Sequence, residues 1–164
     1  MKKGAKILLL TDFSEVAEYA YLYTREIATK IKGVVEVLHV LTTPVDWVKL
    51  RKESEQYYPE TLQKIAIAKS KMSELVNRLE HEGIQSFPTL IYSFGSEDVF
   101  AHVNHANPDL VIMGSQGRGV KKNFILGSNA QKVLRQVKIP TLIVKEPPTK
   151  SKIKKVAFLT TLEE

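Results

Sequence analysis

The sequence predicts an α/β fold: an open, twisted, parallel sheet of five strands in the order 3-2-1-4-5, with helices on both faces in a three-layer arrangement. Three observations support this prediction. Short apolar segments alternate with segments of helical periodicity, the connections between them are short and often marked by glycine, and polar residues directly follow two of the strands. Because crossovers between parallel strands are right-handed, such an alternation places helices on the two faces of one sheet.

The first three elements are a strand, a helix and a strand. Lys6–Thr11 (KILLLT) is nearly all apolar, as expected for a strand that is covered on both faces. Ser14 is a candidate N-cap, and Gly33 is placed to end the following helix in a left-handed conformation. The predicted apolar stripe of that helix is Val16, Ala20, Tyr23, Ile27 and Ile31. Val34–Leu41 is rich in β-branched residues and predicts the second strand.

The remaining elements follow the same alternation. A loop with Pro44 and Trp47 leads to a long helix between Thr61 and Gly83. The later elements are, in chain order, a strand at 87–92, a short helix capped by Ser96, a strand at 110–113, a helix at 128–137 and a strand at 141–144. Together these elements assign one domain to residues 1–146.

The end of the chain predicts an additional strand. Residues 147–154 begin with two prolines and predict a polar linker. Residues 155–164 (KVAFLTTLEE) then align with residues 6–15 (KILLLTDFSE), which predicts the start of a second copy of the domain. Chance similarity between two apolar strands is the alternative. We expect the segment to pair with a sheet edge, beside the fifth strand of another subunit.

Composition excludes several classes of protein. The chain has no cysteine, which excludes disulfides and thiolate metal sites and agrees with a cytoplasmic location. No apolar run approaches the length of a membrane span, and the amino end does not resemble a signal peptide. The net charge of +6 lies largely at the two ends, without interleaved aromatic residues, so we do not expect nucleic-acid binding.

A ligand site is predicted from topology alone. Open parallel sheets bind ligands beyond the carboxyl ends of their strands, where the strand order reverses. Thr11 and Asp12 follow the first strand, and Gly114 and Ser115 follow the fourth. In the predicted order these strands are neighbours, so the four residues should lie together.

The segment 113–130 (MGSQGRGVKKNFILGSNA) has the composition of an anion-binding loop. Gly114 and Gly117 allow backbone amides to approach an anion, and Gly127 and Ser128 open a helix whose amino end favours phosphate. Arg118 lies in the loop between them, where it could contact phosphate or face solvent. Glycines that serve only a tight turn are the alternative. The spacing matches neither the Walker loop nor the dinucleotide motif.

This spacing, G-x2-G-x9-G-S, together with DLVIMGSQGRG, VLRQVKIPTLIV and KILLLTDFSEVAEYA, resembles the ATP-binding branch of the universal stress protein family. The resemblance covers residues 6–145. It implies a five-stranded domain of the adenine nucleotide α-hydrolase type, usually dimeric, that binds ATP, with Mg²⁺ as a possible companion. By this resemblance the adenosine lies near Thr11, Asp12 and Val40, the strand end is lined by Met113 and Gly114, and the phosphates lie near Gly117, Arg118, Gly127, Ser128 and Asn129.

Two residues depart from the family pattern. Leu10 stands where the family often has proline, beside the expected position of the adenine, and Asn129 stands where the family often has a small apolar residue. His102 and His105 are interpreted as surface residues of the third helix, and His39 as a packed strand residue, so no metal site is predicted.

The sequence shows no constellation of acids, bases and nucleophiles for fast catalysis. The expected function is that of an ATP-binding regulatory protein of the stress response, at most a slow ATPase. Two alternatives remain at this point: a dimeric interaction module that binds no nucleotide, and an enzyme of the related hydrolase superfamily.

Overall fold

The computed structural model describes residues 3–94, 98–115, 133, 135 and 137–148. The strands in this part of the chain are β1 (Lys6–Leu10), β2 (Val34–Thr42), β3 (Ser86–Ser93), β4 (Leu110–Gly114) and β5 (Thr141–Val144). Its α-helices are α1 (Glu15–Ile31), α2 (Pro59–His81) and α3 (Asp98–Ala106), and a short 3-10 helix covers Lys52–Tyr57. None of the described helices is long and apolar enough to cross a membrane.

The five strands form one sheet in the order β3-β2-β1-β4-β5, and every neighbouring pair is parallel. The predicted strand order is therefore confirmed. β1 lies at the centre, with Ile7 opposite both Val35 of β2 and Leu110 of β4. Its central residues Leu8 and Leu9 are fully buried on opposite faces, which explains why the strand is apolar after Lys6.

Each face of the sheet carries its own core. On one face, Ile7, Leu9 and Val37 pack with α1 and α2 through residues such as Tyr21 and Leu79. On the other face, buried residues from three strands and α3 pack with two residues from beyond β4, namely Leu8, Leu38, Val103, Val111, Met113, Val133 and Val137. The molecule thus has the predicted three layers.

The start of α1 follows the prediction, whereas its buried stripe does not. The Ser14 side chain accepts a hydrogen bond from the Ala17 amide, so Ser14 is the N-cap. The buried residues of the helix are Ala17, Ala20, Tyr21, Thr24 and Ala28, while Val16, Tyr23, Ile27 and Ile31 are only half-buried. Alanine and threonine occupy most of the buried positions, Tyr21 is the one large side chain among them, and Tyr23, Ile27 and Ile31 pack against the same core.

The helix ends show two different uses of glycine. The left-handed residue after α1 is Lys32, with φ 51°, so the prediction that Gly33 has this conformation is wrong. A Cβ on Gly33 would lie 2.9 Å from the Ala5 carbonyl oxygen, so glycine is required there for close approach to β1. Gly83 has φ 74° and does end α2 in the left-handed conformation.

The fourth predicted helix is described only in part. Val133 and Arg135 are helical, and the Val137 amide donates to the Val133 carbonyl at 2.9 Å. The predicted helix start at Ser128, the glycine loop and the repeat-like segment 155–164 lie outside the described residues.

A buried carboxylate connects β1, β2, β3 and α3. Glu36 is only 2% exposed and contacts Lys6 Nζ at 3.2 Å, Thr89 Oγ1 at 2.9 Å and His102 Nε2 at 2.6 Å. Burial alone would raise the pKa of Glu36, but the hydrogen bonds from His102, Thr89 and Lys6 and the Lys6 charge outweigh it and hold the pKa below its usual value. The carboxylate is therefore retained in its charged form.

We expect Glu36→Ala to destabilise the fold by about 3 kcal/mol, because it leaves the partners of a buried ion pair without their carboxylate. Lys6 and His102 are partly exposed, so water can hydrate them in the variant. The loss of unfolding free energy should therefore lie near the lower limit measured for broken buried ion pairs. The matched control is Glu26→Ala, which removes an exposed pair with Lys30 and should cost less than about 0.5 kcal/mol. Urea unfolding at neutral pH measures both, and equal losses would contradict a structural role for Glu36.

The same network predicts a pH dependence of stability. Since the folded-state pKa of Glu36 is depressed below the ordinary value of 4.5, its contribution is complete above that pH and disappears as the pH falls through the lower, folded-state pKa. The difference in unfolding free energy between the wild type and Glu36→Gln should be largest above about pH 5 and should narrow at about pH 3.5. If the difference in unfolding free energy instead grows as the pH falls, the pKa of Glu36 is not depressed in the folded protein.

Candidate functional site

The ends of β1 and β4 lie side by side at the carboxyl edge of the sheet. Leu10 is opposite Met113, so Thr11 and Gly114 are the next residues on two adjacent strands. The chain adds β2 and β3 on one side of β1 and then β4 and β5 on the opposite side. The strand order therefore reverses between β1 and β4. The prediction that the two polar strand ends are neighbours is confirmed.

Val40 joins this group through β2. Leu10 is opposite Leu38, and the Thr11 amide donates to the Leu38 carbonyl at 2.9 Å. Val40 lies two residues beyond Leu38 in β2, the strand that neighbours β1. Thr11 and Met113 are buried, whereas Asp12, Val40 and Gly114 are partly exposed.

The predicted site also includes five residues of the glycine-rich loop and the helix start that follows it. Gly117, Arg118, Gly127, Ser128 and Asn129 lie outside the described residues. The structure thus brings together the strand-end residues, and the assignment of the other five to a phosphate-binding loop stays a prediction.

The turn from Thr11 to Ser14 is fixed by its own side chains. Thr11 Oγ1 accepts from the Phe13 amide at 3.0 Å, and Asp12 Oδ1 accepts from the Ser14 amide at 3.1 Å. Ser14 in turn caps α1. The side chains of Thr11, Asp12 and Ser14 therefore accept hydrogen bonds from the amides of Phe13, Ser14 and Ala17. Such local hydrogen bonds favour a turn before a helix.

Phe13 adopts an uncommon backbone conformation in this turn, with φ 61°. A left-handed conformation costs a non-glycine residue on the order of 1 to 2 kcal/mol, so other contacts must hold it. The Phe13 ring packs against His39, with 4.4 Å between ring centroids, and Lys71 Nζ lies 5.5 Å from the Phe13 centroid. A cation above an aromatic ring is attracted by it.

His39 also binds the turn directly. Its Nδ1 lies 2.7 Å from the Thr11 carbonyl oxygen. Because a carbonyl oxygen only accepts, Nδ1 carries the hydrogen and donates it. Periodicity predicted a packed strand residue at this position, but the contact across the strand end depends on the β1–β2 register and was not predicted.

Gly114 has a packing role that the sequence did not reveal. A Cβ at this position would lie 3.1 Å from the carbonyl carbon and from Cγ1 of Val16, and 3.2 Å from the Ala17 amide nitrogen. Such distances are tighter than those of ordinary side chains. Glycine therefore allows the first turn of α1 to approach the end of β4, whatever ligand binds nearby.

A cleft of about 290 Å³ lies on the α1–α2 side of the turn. Arg78 of α2 makes two hydrogen bonds to Glu18 of α1, and these raise the pKa of the guanidinium. Of the predicted site residues that the structure describes, only Thr11 lines this cleft. Because Arg78 and Glu18 form an ion pair between α2 and α1 here, the cleft is better explained as a packing groove between two helices than as the predicted site.

The histidines of α3 differ from each other. His105 is exposed, as predicted, but the prediction that His102 is a surface residue is wrong: it is only partly exposed and binds buried Glu36. An acidic residue inside an otherwise apolar strand was the signal for this contact. Among the described residues, no group of three or more histidines and carboxylates could hold a metal ion.

Comparisons with known proteins agree with this architecture. A model of the Universal stress protein family matches residues 5–145. Universal stress protein MJ0577 of Methanocaldococcus jannaschii is 29% identical over 152 residues, which cover 85% of this chain and 94% of that protein. The solved structure of MJ0577 superposes with a TM-score of 0.71, covering 88% of this chain and 98% of that one.

Two more distant solved structures share the fold. UspA from Lactobacillus plantarum has a TM-score of 0.72 at 17% identity, covering 88% of this chain and all of that one. A universal stress protein from Archaeoglobus fulgidus in complex with dAMP has a TM-score of 0.61 at 20% identity, with coverage of 88% and 100%. Since the family model spans most of the sequence and the sheet has the same order and layers, this chain belongs to the universal stress protein family.

Proposed function

We propose that this chain is an adenine-nucleotide-binding regulatory protein of the stress response, and that ATP binds at the carboxyl edge of β1 and β4. The observation that carries the proposal is the rigid Thr11–Ser14 turn beside Gly114 at the point of strand-order reversal. The dAMP complex of the Archaeoglobus relative supports an adenine nucleotide as the ligand class.

The proposed contacts divide into an adenosine end and a phosphate end. The carboxylate of Asp12 accepts hydrogen bonds from ribose or adenine, and the backbone near Val40 lies beside the base. Met113 and Gly114 form the floor between β1 and the loop. Backbone amides at Gly117 and Gly127, with Ser128, Asn129 and Arg118, bind the phosphates, since a helix amino end and glycine amides suit anions.

The exposure of Asp12 supports the adenosine end of this proposal. Asp12 is partly exposed and follows a strand end. Its carboxylate can accept hydrogen bonds from hydroxyl and amino groups, and its oxygens, together with the phosphates of ATP, suit Mg²⁺. The close approach of α1 already requires glycine at position 114. The presence of Gly114 is therefore no independent support for phosphate binding. The phosphate end of the proposal thus depends on the loop beyond Ser115.

Dimerisation is the second part of the proposal. Within the described sheet β5 pairs with β4 alone, so its other edge can pair with the same edge of a second copy. We propose a cytoplasmic homodimer through this edge. If the chain binds no nucleotide, the dimeric interaction module of the same fold becomes the better assignment.

Calorimetry with ATP and Mg²⁺ should give a dissociation constant in the micromolar range, equivalent to roughly 8 kcal/mol. Gly117→Val should abolish this binding, because a branched side chain then stands where the phosphates approach the backbone. Gly117→Ala should weaken it less, which makes the two substitutions a graded pair.

The control for this experiment is the thermal unfolding midpoint of each variant, which should stay close to that of the wild type. Gly117→Val protein that is folded and still binds ATP with wild-type affinity would contradict the phosphate assignment. Wild-type protein without any adenine-nucleotide binding would contradict the proposed function as a whole.

Hydrolysis of ATP should be far slower than about 10 per second, the median for enzymes. The reason is that the sequence shows no constellation of acid, base and nucleophile for rapid catalysis. Phosphate release by purified protein measures the rate. Turnover of several per second that disappears in Asp12→Ala would instead identify an enzyme.

A further inference from the structure

His39 connects the middle of the sheet to the turn that carries Asp12. Its backbone is held in β2, opposite Leu90 of β3, so the position of the ring is set by the sheet rather than by the loop. From there Nδ1–H reaches the Thr11 carbonyl at 2.7 Å, and the ring packs on Phe13. His39 thus contacts the residues on both sides of Asp12.

Both contacts act on groups that need a partner. Thr11 is buried, and a buried carbonyl oxygen without a hydrogen bond is destabilising. Phe13 has a left-handed backbone, which persists only where surrounding contacts specify it. Lys71 of α2 lies 5.5 Å from the centroid of the same ring, whereas the hydrogen bond to the Thr11 carbonyl comes from His39.

We propose that His39 is a positioning residue for the adenosine end of the nucleotide: by fixing Thr11 and Phe13 it sets the place of the Asp12 carboxylate. This assignment rests on the proposed nucleotide site. His39 itself touches no ligand in this scheme. Its effect passes through the turn, so it concerns the half of the site that binds base and ribose.

The division of the site gives this role a distinctive signature. ATP and AMP share the adenosine that Asp12 contacts and differ in their phosphates. A displaced turn weakens both nucleotides by the same factor and leaves the ratio of their dissociation constants unchanged. Damage to the phosphate loop, as in Gly117→Val, weakens ATP more than AMP and changes that ratio.

Two substitutions separate the hydrogen bond from the ring. His39→Phe keeps an aromatic ring against Phe13 but removes the donor to Thr11. His39→Asn removes the ring but keeps a donor, since Asn Nδ2 is as many bonds from Cα as His Nδ1. His81→Phe, at an exposed position in the last turn of α2, is the matched control for adding a phenyl group.

Calorimetry with ATP and with AMP should show His39→Phe weaker by roughly three- to tenfold for both, the range expected for one hydrogen bond. His39→Asn should recover most of the affinity, and His81→Phe should match the wild type. Wild-type affinity in His39→Phe, no recovery in His39→Asn, or a changed ATP-to-AMP ratio would each overturn the assignment.

Amide hydrogen exchange tests the turn without any ligand. The Phe13 and Ser14 amides, which bind Thr11 Oγ1 and Asp12 Oδ1, should exchange faster in His39→Phe while the amides of Leu8 and Val37 stay unchanged. Unchanged exchange at Phe13 and Ser14 would overturn the positioning role. If the wild type binds neither nucleotide, the proposed function fails and the assignment to the adenosine end fails with it, whereas the exchange result still decides whether His39 holds the turn.

Discussion

The pairing of β1 between β2 and β4 is the constraint on which the rest of this structure depends. Because β1 is covered by strands on both sides and by helices on both faces, Ile7, Leu8 and Leu9 are fully buried and apolar, and the charged Lys6 stands at the start of the strand. The same arrangement forces the strand order to reverse beside β1. The polar residues that follow β1 therefore meet those that follow β4, and the site is a consequence of the topology.

Close packing of α1 adds a second constraint to the same place. Only four residues separate the end of β1 from the start of α1, so the first turn of the helix lies against the neighbouring strand, and the absence of a side chain at Gly114 makes room for Val16 and Ala17. Small residues along α1 continue that contact toward Ala28. The turn between β1 and α1 is consequently short, and its geometry is specified by Thr11, Asp12 and Ser14 through their own hydrogen bonds.

Polar groups inside this protein are satisfied across elements that are distant in the sequence. Glu36 finds partners on β1, β3 and α3, and His39 reaches the Thr11 carbonyl from β2. The contacts to Lys6 and Thr89 join neighbouring strands, and the contacts of His102 and His39 join the sheet to α3 and to the β1–α1 turn. Since an unpaired polar group in such a position is costly, these contacts favour one arrangement of α3 and of the β1–α1 turn over others.

Sequence alone determined the order of elements, the strand order, the Ser14 cap and the meeting of Thr11 with Gly114, because these follow from local periodicity, local hydrogen bonding and the handedness of crossovers. It did not determine which face of α1 is buried, why Gly33 and Gly114 must be glycine, or that His102 and His39 bind Glu36 and Thr11. Those features depend on distances between residues that are from 28 positions apart, as for His39 and Thr11, to 98 positions apart, as for Gly114 and Val16. Only the register of the strands and the packing of helices on the sheet set such distances, and neither is encoded in the period or composition of any single segment.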